Sequence, residues 1–498
     1  MKKGFKYIFI VLILSILTFY PVFASAAGGE MTAEDARKPK SPILEEVEAM
    51  AFEPIEFQVP RVGKEVERVE LDNGMILYLM EDHRLPLIQI KGLIRTGEAY
   101  EKKEQHGVAH LTGKVMRIGG TEKYSSDKLN EELEYIAARL ETGIEVEEGW
   151  ISLEVISSEF DKGLNLFSQV LRYPMFDENK LELEKSKIKE SLRRRNDNYR
   201  SIGDREFYRI VYPNYANGWE FDWDVVKNIR KDDLVAWHNR FYKPNNMMFA
   251  VVGDFNRDEM ITRFIQAFGD WEKSQVDLSG LQDMEKEFNP GLYFAKKNLD
   301  QSYIRMGHLG IKRTNPDRYS IRLMDYILGN GGFNSWMTEK IRSDEGLAYS
   351  VYSYFNTSGR TFGTAGAVCS TKSESTVRAI ELMLAQINRI KNEDVTPEKL
   401  KWAKDSIINS FVFNFDTPLK QTAGLMNLEY EGLPSDYYEN YCENIRKVTV
   451  QDIKKVANQY LFPEEMTLIV VGNPEKFDKP LKNLGKPVEI ELKDVITD

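Results

Sequence analysis

Two rhythms of apolar and polar residues run through this chain. At 150–156, Ile151, Leu153 and Val155 alternate with Trp150, Ser152 and Glu154, the two-residue period of a half-buried strand. The runs 76–80 and 88–94 are also strand-like. Residues 127–141 carry Leu129, Leu133, Ile136 and Leu140 at helical spacing, which predicts an amphipathic helix over that whole stretch. Segments 161–171 and 178–195 read as helices, and Pro244 stops a helix before a strand at 248–252. The order β-β-α-α-β-α-α-β is not the regular alternation of a doubly wound sheet. It predicts an α+β fold with antiparallel sheets and helices packed on one face.

The pattern occurs twice. Residues 233–253 (DLVAWHNRFYKPNNMMFAVVG) match residues 452–472 (DIKKVANQYLFPEEMTLIVVG). Asp233, Asn239, Pro244, Met247, Val251, Val252 and Gly253 fall on Asp452, Asn458, Pro463, Met466, Val470, Val471 and Gly472, all 219 residues apart. The same offset pairs Lys180-Leu181 with Lys399-Leu400, Ser191 with Ser410 and Asp197 with Asp416. One shift serving separated segments marks an internal duplication. The two homologous halves are expected at 63–275 and 291–485, with a polar, aperiodic linker at 276–290 and a tail at 486–498.

The amino terminus has the pattern of an export signal. Lys2, Lys3 and Lys6 precede the apolar run 8–19, and Ala24-Ser25-Ala26 is an A-x-A cleavage site. The run is short for a ~20-residue span and ends at Pro21, which favours a cleaved signal over a retained anchor. The expectation is a signal peptide at 1–26, an extended proline-bearing arm at 27–62, and a periplasmic or secreted protein with no stable membrane anchor. The 498-residue chain carries 67 basic and 78 acidic residues, net −11, so it has no general electrostatic pull on nucleic acid. Two cysteines exclude a disulfide scaffold, a zinc ribbon and an iron–sulfur cluster. The sequence sets no distance between Cys369 and Cys442, so their pairing stays open.

The chemistry-bearing stretch is 104–121, EQHGVAHLTGKVMRIGGT. Gly107-Val108-Ala109-His110 followed by Gly119-Gly120-Thr121, with Leu71-Asp72-Asn73-Gly74 and the two VVG endings, resembles the insulinase/pitrilysin-type zinc peptidases. These are inverted zincins similar to the mitochondrial processing peptidase. The resemblance covers almost the whole chain after the arm and implies two halves forming a clamshell. It also implies a helix carrying H-x-x-E-H, in which two histidines bind zinc, the glutamate activates its water, and a later glutamate completes the ligand set. Here the motif reads His110-Leu111-Thr112-Gly113-Lys114. Gly113 stands at the general base, Lys114 at the second histidine and Ser191 at the later glutamate. An ammonium in a ligand position repels a cation, so this half is not expected to build the family's zinc site. His106 and His110 are also spaced i, i+4, but Gly107-Val108 occupies the place of a nearby glutamate base, and two ordinary histidines at a helix start are the favoured reading. Glu184 and Glu190 beside Ser191 read as solvated charges.

The second half carries Arg342-Ser343-Asp344-Glu345-Gly346-Leu347-Ala348-Tyr349-Ser350. The resemblance implies that Arg342 and Tyr349, seven residues apart, face a zinc site across the chamber. A guanidinium and a phenol there can hold a substrate carbonyl and its oxyanion. The expected function is the non-catalytic subunit of an exported peptidase. A homologous partner with an intact H-x-x-E-H would carry the zinc, this chain would bind none, and the pair would enclose peptides or unfolded protein. The alternatives are a family-derived binding or structural subunit with no role in proteolysis, and an autonomous peptidase with a relocated metal. The resemblance also aligns Glu141-Thr142 with the edge strand along which substrate would lie.

Overall fold

Short apolar strands bounded by turns form two sheets, one in each half of the chain. The computed structural model describes residues 59–281 and 284–493. The expected leader (1–26), nearly all of the arm, residues 282–283 of the linker and the end of the tail lie outside the described residues. The first sheet comprises β1 (Glu67–Glu70), β2 (Ile76–Glu81), β3 (Leu87–Ile94), β4 (Arg139–Ile144), β5 (Gly149–Ile156) and β6 (Met247–Gly253), in the order β1-β2-β6-β3-β5-β4. The second comprises β7 (Gly291–Lys296), β8 (Gln301–Leu309), β9 (Ala348–Phe355), β10 (Thr364–Lys372), β11 (Thr467–Gly472) and β12 (Pro487–Glu489), in the order β9-β10-β8-β11-β7-β12. Strands β2 to β6 and β7 to β11 therefore trace the same path. The continuous apolar runs of β6 and β11 are buried throughout, as an interior strand of each sheet requires.

The pairing is mostly antiparallel. The exceptions within these two sheets are β6 with β2, β11 with β7, and β12 with β7, all parallel, and a separate two-stranded parallel pair joins Ile311–Lys312 to Thr357–Ser358. A second departure concerns residues 127–141. The helix spans only Ser126–Tyr135, Ala137 adopts a positive φ of 49°, and Leu140 lies in β4. A left-handed residue breaks the helix that the leucine spacing suggested. The buried positions Leu140, Thr142 and Ile144 alternate along β4.

Four helices position the features that matter below: α1 (Val108–Ile118), α2 (Glu178–Arg193), α3 (Tyr199–Val211) and α4 (Pro418–Glu431). By the 219-residue offset, α3 and α4 are counterparts, and each packs on the other half's sheet. Ile202, Phe207 and Val211 of α3 share a buried cluster with Tyr303, Ile469 and Val471 of the second sheet. Ala423, Leu425, Met426 and Leu428 of α4 share one with Tyr78, Leu93, Met248 and Ala250 of the first. Each such side chain contributes roughly 1.5–3 kcal/mol on burial, so the exchange is a large part of what joins the halves.

The exchange carries matching polar anchors. On α3, Asp204 accepts from Arg305 Nη1 at 2.5 Å and from the Tyr303 hydroxyl, both on β8. On α4, Glu429 accepts from Arg68 Nε at 2.7 Å, from Arg68 Nη2 at 2.8 Å, and from the Tyr78 hydroxyl, on β1 and β2. A third clamp joins the β4–β5 turn to the second half. There Glu147 accepts from the backbone N–H of Gly359, Arg360 and Thr361 and from the hydroxyls of Ser358 and Thr361. Burial alone would raise the Glu147 carboxyl, but these donors hold it below the usual carboxylate range.

Candidate functional site

The motif helix α1 begins at Gly107, whose φ of 117° favours glycine. The orphan N–H groups of its first turn find a buried carboxylate. Glu101 accepts from Gly107 N at 3.2 Å and Ala109 N at 2.6 Å, and meets His106 Nδ1 at 2.8 Å. An acid at a helix amino terminus also meets the positive end of the helix dipole. Sequence reasoning missed Glu101. An acidic residue just upstream of a glycine-led helix was the available signal.

His106 and His110 flank the ring of Phe221, at centroid distances of 5.1 Å and 5.2 Å, and Trp219 meets His106 edge-on at 5.7 Å. With Glu98, Ser191, Arg195, Arg205 and Glu220 these residues line a cavity of about 400 Å³. The structure thus brings His110 and Ser191 into one cavity. Burial, then the ammonium of Lys114, push the His110 imidazole down to about 4, leaving it neutral at pH 7. Burial pushes the Glu98 carboxyl up to about 7, against the opposing charge of His106. Arg195 and Arg205 pair with Glu220 at 2.9 Å and 2.8 Å. Glu184 pairs with Lys187 at 2.6 Å, and Glu190 with Arg194 at 2.6 Å.

The other two motif positions point elsewhere. Lys114 is exposed and does not line the cavity. Gly113 is buried face to face with β4. A Cβ built there would lie 2.4 Å from Ile144 N and 2.7 Å from the Gly143 carbonyl carbon, and Thr142 Oγ1 donates to the Gly113 carbonyl at 2.6 Å. No side chain fits that contact without moving β4. The donor set does not suit zinc either. It offers one imidazole, an ammonium and a hydroxyl where the family's motif supplies two imidazoles and a carboxylate. Among the described residues, no group of three or more His, Cys, Asp or Glu side chains is placed to hold a metal ion.

In the second half, Arg342 lies on a π-helical segment, Thr338–Asp344, and Tyr349 on β9 at the edge of its sheet. The β9–β10 register shifts between Ala348 and Ser350, so Tyr349 is the extra residue of a β-bulge. A bulge re-aims a side chain, and π-turns widen a helix locally, often at functional sites. The Arg342 guanidinium sits 4.7 Å from the ring centroid of Phe333 and 5.6 Å from that of Tyr349. Phe333 is 66% and Tyr349 79% exposed, and Arg342 makes no ion pair among the described residues. Phe333 follows the glycine-rich run Leu328-Gly329-Asn330-Gly331-Gly332. Glu141 and Thr142 lie on β4, the edge of the first sheet, with Glu141 exposed and Thr142 buried. Cys369 and Cys442 are both free thiols, the first buried in β10.

Two family models match successive stretches of the chain, the second beginning inside the first half and crossing the linker. Residues 86–218 match the family Insulinase (Peptidase family M16), and residues 228–407 match Peptidase M16 inactive domain. The chain is 24% identical to Non-peptidase homolog YmxG of Helicobacter pylori, across 80% of this chain and 91% of that one. It is 22% identical to Uncharacterized zinc protease YmxG of Bacillus subtilis, across 82% and 98%. Among solved structures, that of a peptidase M16 inactive domain from Pseudomonas fluorescens superposes with a TM-score of 0.74 at 21% identity, covering 82% of this chain and 98% of that one.

Proposed function

Because the chain belongs to the insulinase family, peptidase family M16, we propose that it is the non-catalytic member of an exported pair that hydrolyses peptides. The observation that carries this reading is the contrast between its two sites. Where the family's motif would place its base and two of its ligands, the first half carries Gly113, Lys114 and Ser191, and the space at Gly113 is closed. The second half presents an arginine and a tyrosine to solvent, with the arginine free of carboxylates among the described residues. The metal and the general base would come from a homologous partner with an intact H-x-x-E-H. Arg342 and Tyr349 would donate hydrogen bonds to the substrate carbonyl and to the oxyanion it becomes. Peptide or unfolded protein would enter between the two chains.

A second reading, a binding or structural subunit with no part in hydrolysis, is favoured by one observation, the relative described as a non-peptidase homolog. Native mass spectrometry of the protein isolated from its own host separates the two. A complex with one further chain of similar size, zinc on that chain only, supports the paired peptidase. In such a complex Arg342→Ala or Tyr349→Phe should cut turnover about 10²-fold, the scale of losing an oxyanion donor, without dissociating it. A zinc-free monomer or homodimer supports the binding reading, and zinc on this chain overturns both.

A further inference from the structure

Along the seam between the halves runs a groove of about 760 Å³ that contains none of the motif residues. Its volume is in the range of peptide- and ligand-sized clefts. Its walls come from β3, from helices Arg318–Asp325 and Tyr437–Lys447, and from α4.

The chemistry of the walls is one-sided. Lys91, Arg318 and Arg322 line the groove, and none of the three has an ion-pair partner among the described residues. Two further cations are already engaged: Arg313 with Glu431, and Lys420 with Asp416 at 2.8 Å. Among the described residues Glu431 is the one carboxylate in the lining, and Arg313 holds it. The chain carries 11 more acidic than basic charges, so three cations outside any ion pair among the described residues, all lining one groove, are not a consequence of composition.

Arg318 is also held in place. The Arg318 guanidinium stacks 4.7 Å from the ring of Tyr319 and 4.9 Å from that of Tyr437, and its Nε is buried with no hydrogen-bond partner. Tyr441 stacks on Phe411 at 4.6 Å with the rings 7° apart. Burial, reinforced by Tyr441 and Tyr319, pushes the Tyr437 phenol up to about 12, so it keeps its proton and remains a donor.

We propose that this groove binds a carboxylate-rich segment of polypeptide. A guanidinium plane fixed by aromatic stacking is preorganised for two-point contact with a carboxylate, which lowers the ordering cost of binding. The tyrosine faces suit the aliphatic stems of glutamate side chains. This inference does not rest on the pairing proposed above, because it uses neither the partner nor Arg342 and Tyr349.

The test is fluorescence anisotropy of an amino-terminally labelled hexaglutamate peptide titrated with the full chain at low ionic strength. Saturable binding that weakens with added salt is expected, with no binding of a hexalysine peptide under the same conditions. Arg322 is exposed, so Arg322→Glu should fold normally and weaken hexaglutamate binding at least about tenfold. Lys482→Ala, an exposed charge lost elsewhere, should leave it unchanged. Equal affinity in the Arg322→Glu variant, or binding of hexalysine, overturns the proposal. So does full displacement of hexaglutamate by inorganic phosphate at equal charge concentration, which would identify a small-anion site instead.

Discussion

Gly113 in the first half and Gly329 in the second do the same packing work. A Cβ on Gly113 would lie 2.4 Å from Ile144 N of β4, and one on Gly329 would lie 2.2 Å from Ser353 N of β9. In both halves a helix is pressed onto the backbone of the strand at the sheet edge, and only glycine allows the approach. Around this common contact the halves diverge. In the first, His110 is tucked among Phe221 and His106, and Lys114 faces solvent away from the cavity. In the second, a π-turn and a bulge carry Arg342 and Tyr349 outward beside Phe333. The difference teaches that the shared architecture specifies how helix and edge strand pack, while small backbone irregularities decide which half turns an arginine and a tyrosine toward solvent.

The glycines provide the most severe way to break the comparison. Gly113→Glu should cost about 4 kcal/mol or more, because the new side chain meets backbone rather than a flexible side-chain end. Gly329→Ala should behave alike. Yield of folded protein and chemical denaturation measure both. A stably folded Gly113→Glu variant would show that β4 moves freely, and would reopen the motif position to the family's base.

The exchanged helices give a graded test. Arg305 has a side chain 9% exposed, in contact with the rings of Phe207, Tyr208 and Tyr354 and paired with Asp204. Arg68, its counterpart in role, is 30% exposed. Arg305→Ala should therefore cost about 3 kcal/mol and Arg68→Ala about 1 kcal/mol in urea unfolding. Equal losses would mean that the two anchors work alike despite their burial.

Much of this was legible in the sequence. The duplication and the order of the strands at 76–80, 88–94, 150–156 and 248–252 follow from residue identities and one offset, whereas the reading of Gly113, Lys114 and Ser191 came only through the resemblance to the zinc peptidases. Strand β4 was hidden because Leu129, Leu133, Ile136 and Leu140 fit a helical period until Ala137 turns left-handed. The helix exchange was hidden for a different reason. An amphipathic face on α3 or α4 calls for an apolar partner but does not say whose sheet supplies it, and Asp204 lies 101 residues from Arg305. The closed space at Gly113 was unreadable because a glycine has no side chain to suggest what presses against it. For Arg342 and Tyr349 the spacing was visible, but the bulge that exposes Tyr349 was not.

Acid and base act in opposite senses on two groups of the one first-half cavity. The folded state raises the Glu98 carboxyl from the ordinary 4.5 to about 7, chiefly by burial. The folded protein thus binds that proton more tightly. The contribution is fully present below about pH 4.5 and is lost as pH rises through about 7. His110 runs the other way. With its imidazole lowered from 6.5 to about 4, its contribution is present above 6.5 and is lost as pH falls through about 4. Glu98→Gln should therefore gain on the order of 1–2 kcal/mol over the parent at pH 8 and nothing at pH 4. A constant difference across the range would show that Glu98 does not titrate on unfolding.

The smallest expected effect concerns the pair that the second half displays. Tyr349 and Phe333 are mostly exposed, and Arg342 touches them only through ring faces. A cation over an exposed ring contributes about 0.5–1 kcal/mol, and surface substitutions away from buried partners usually fall within about 0.5 kcal/mol. Tyr349→Phe keeps the ring and removes only the hydroxyl, so its stability should match the parent within about 0.5 kcal/mol by urea denaturation. Arg342→Ala should lose slightly more, because Phe333 and Tyr349 then share no cation. Such small effects matter because they separate display from architecture. If either variant cost as much as Arg305→Ala, the pair would be part of what holds the second half together. The solvent-facing bulge would then be a packing device, with no reserve of chemistry for a substrate.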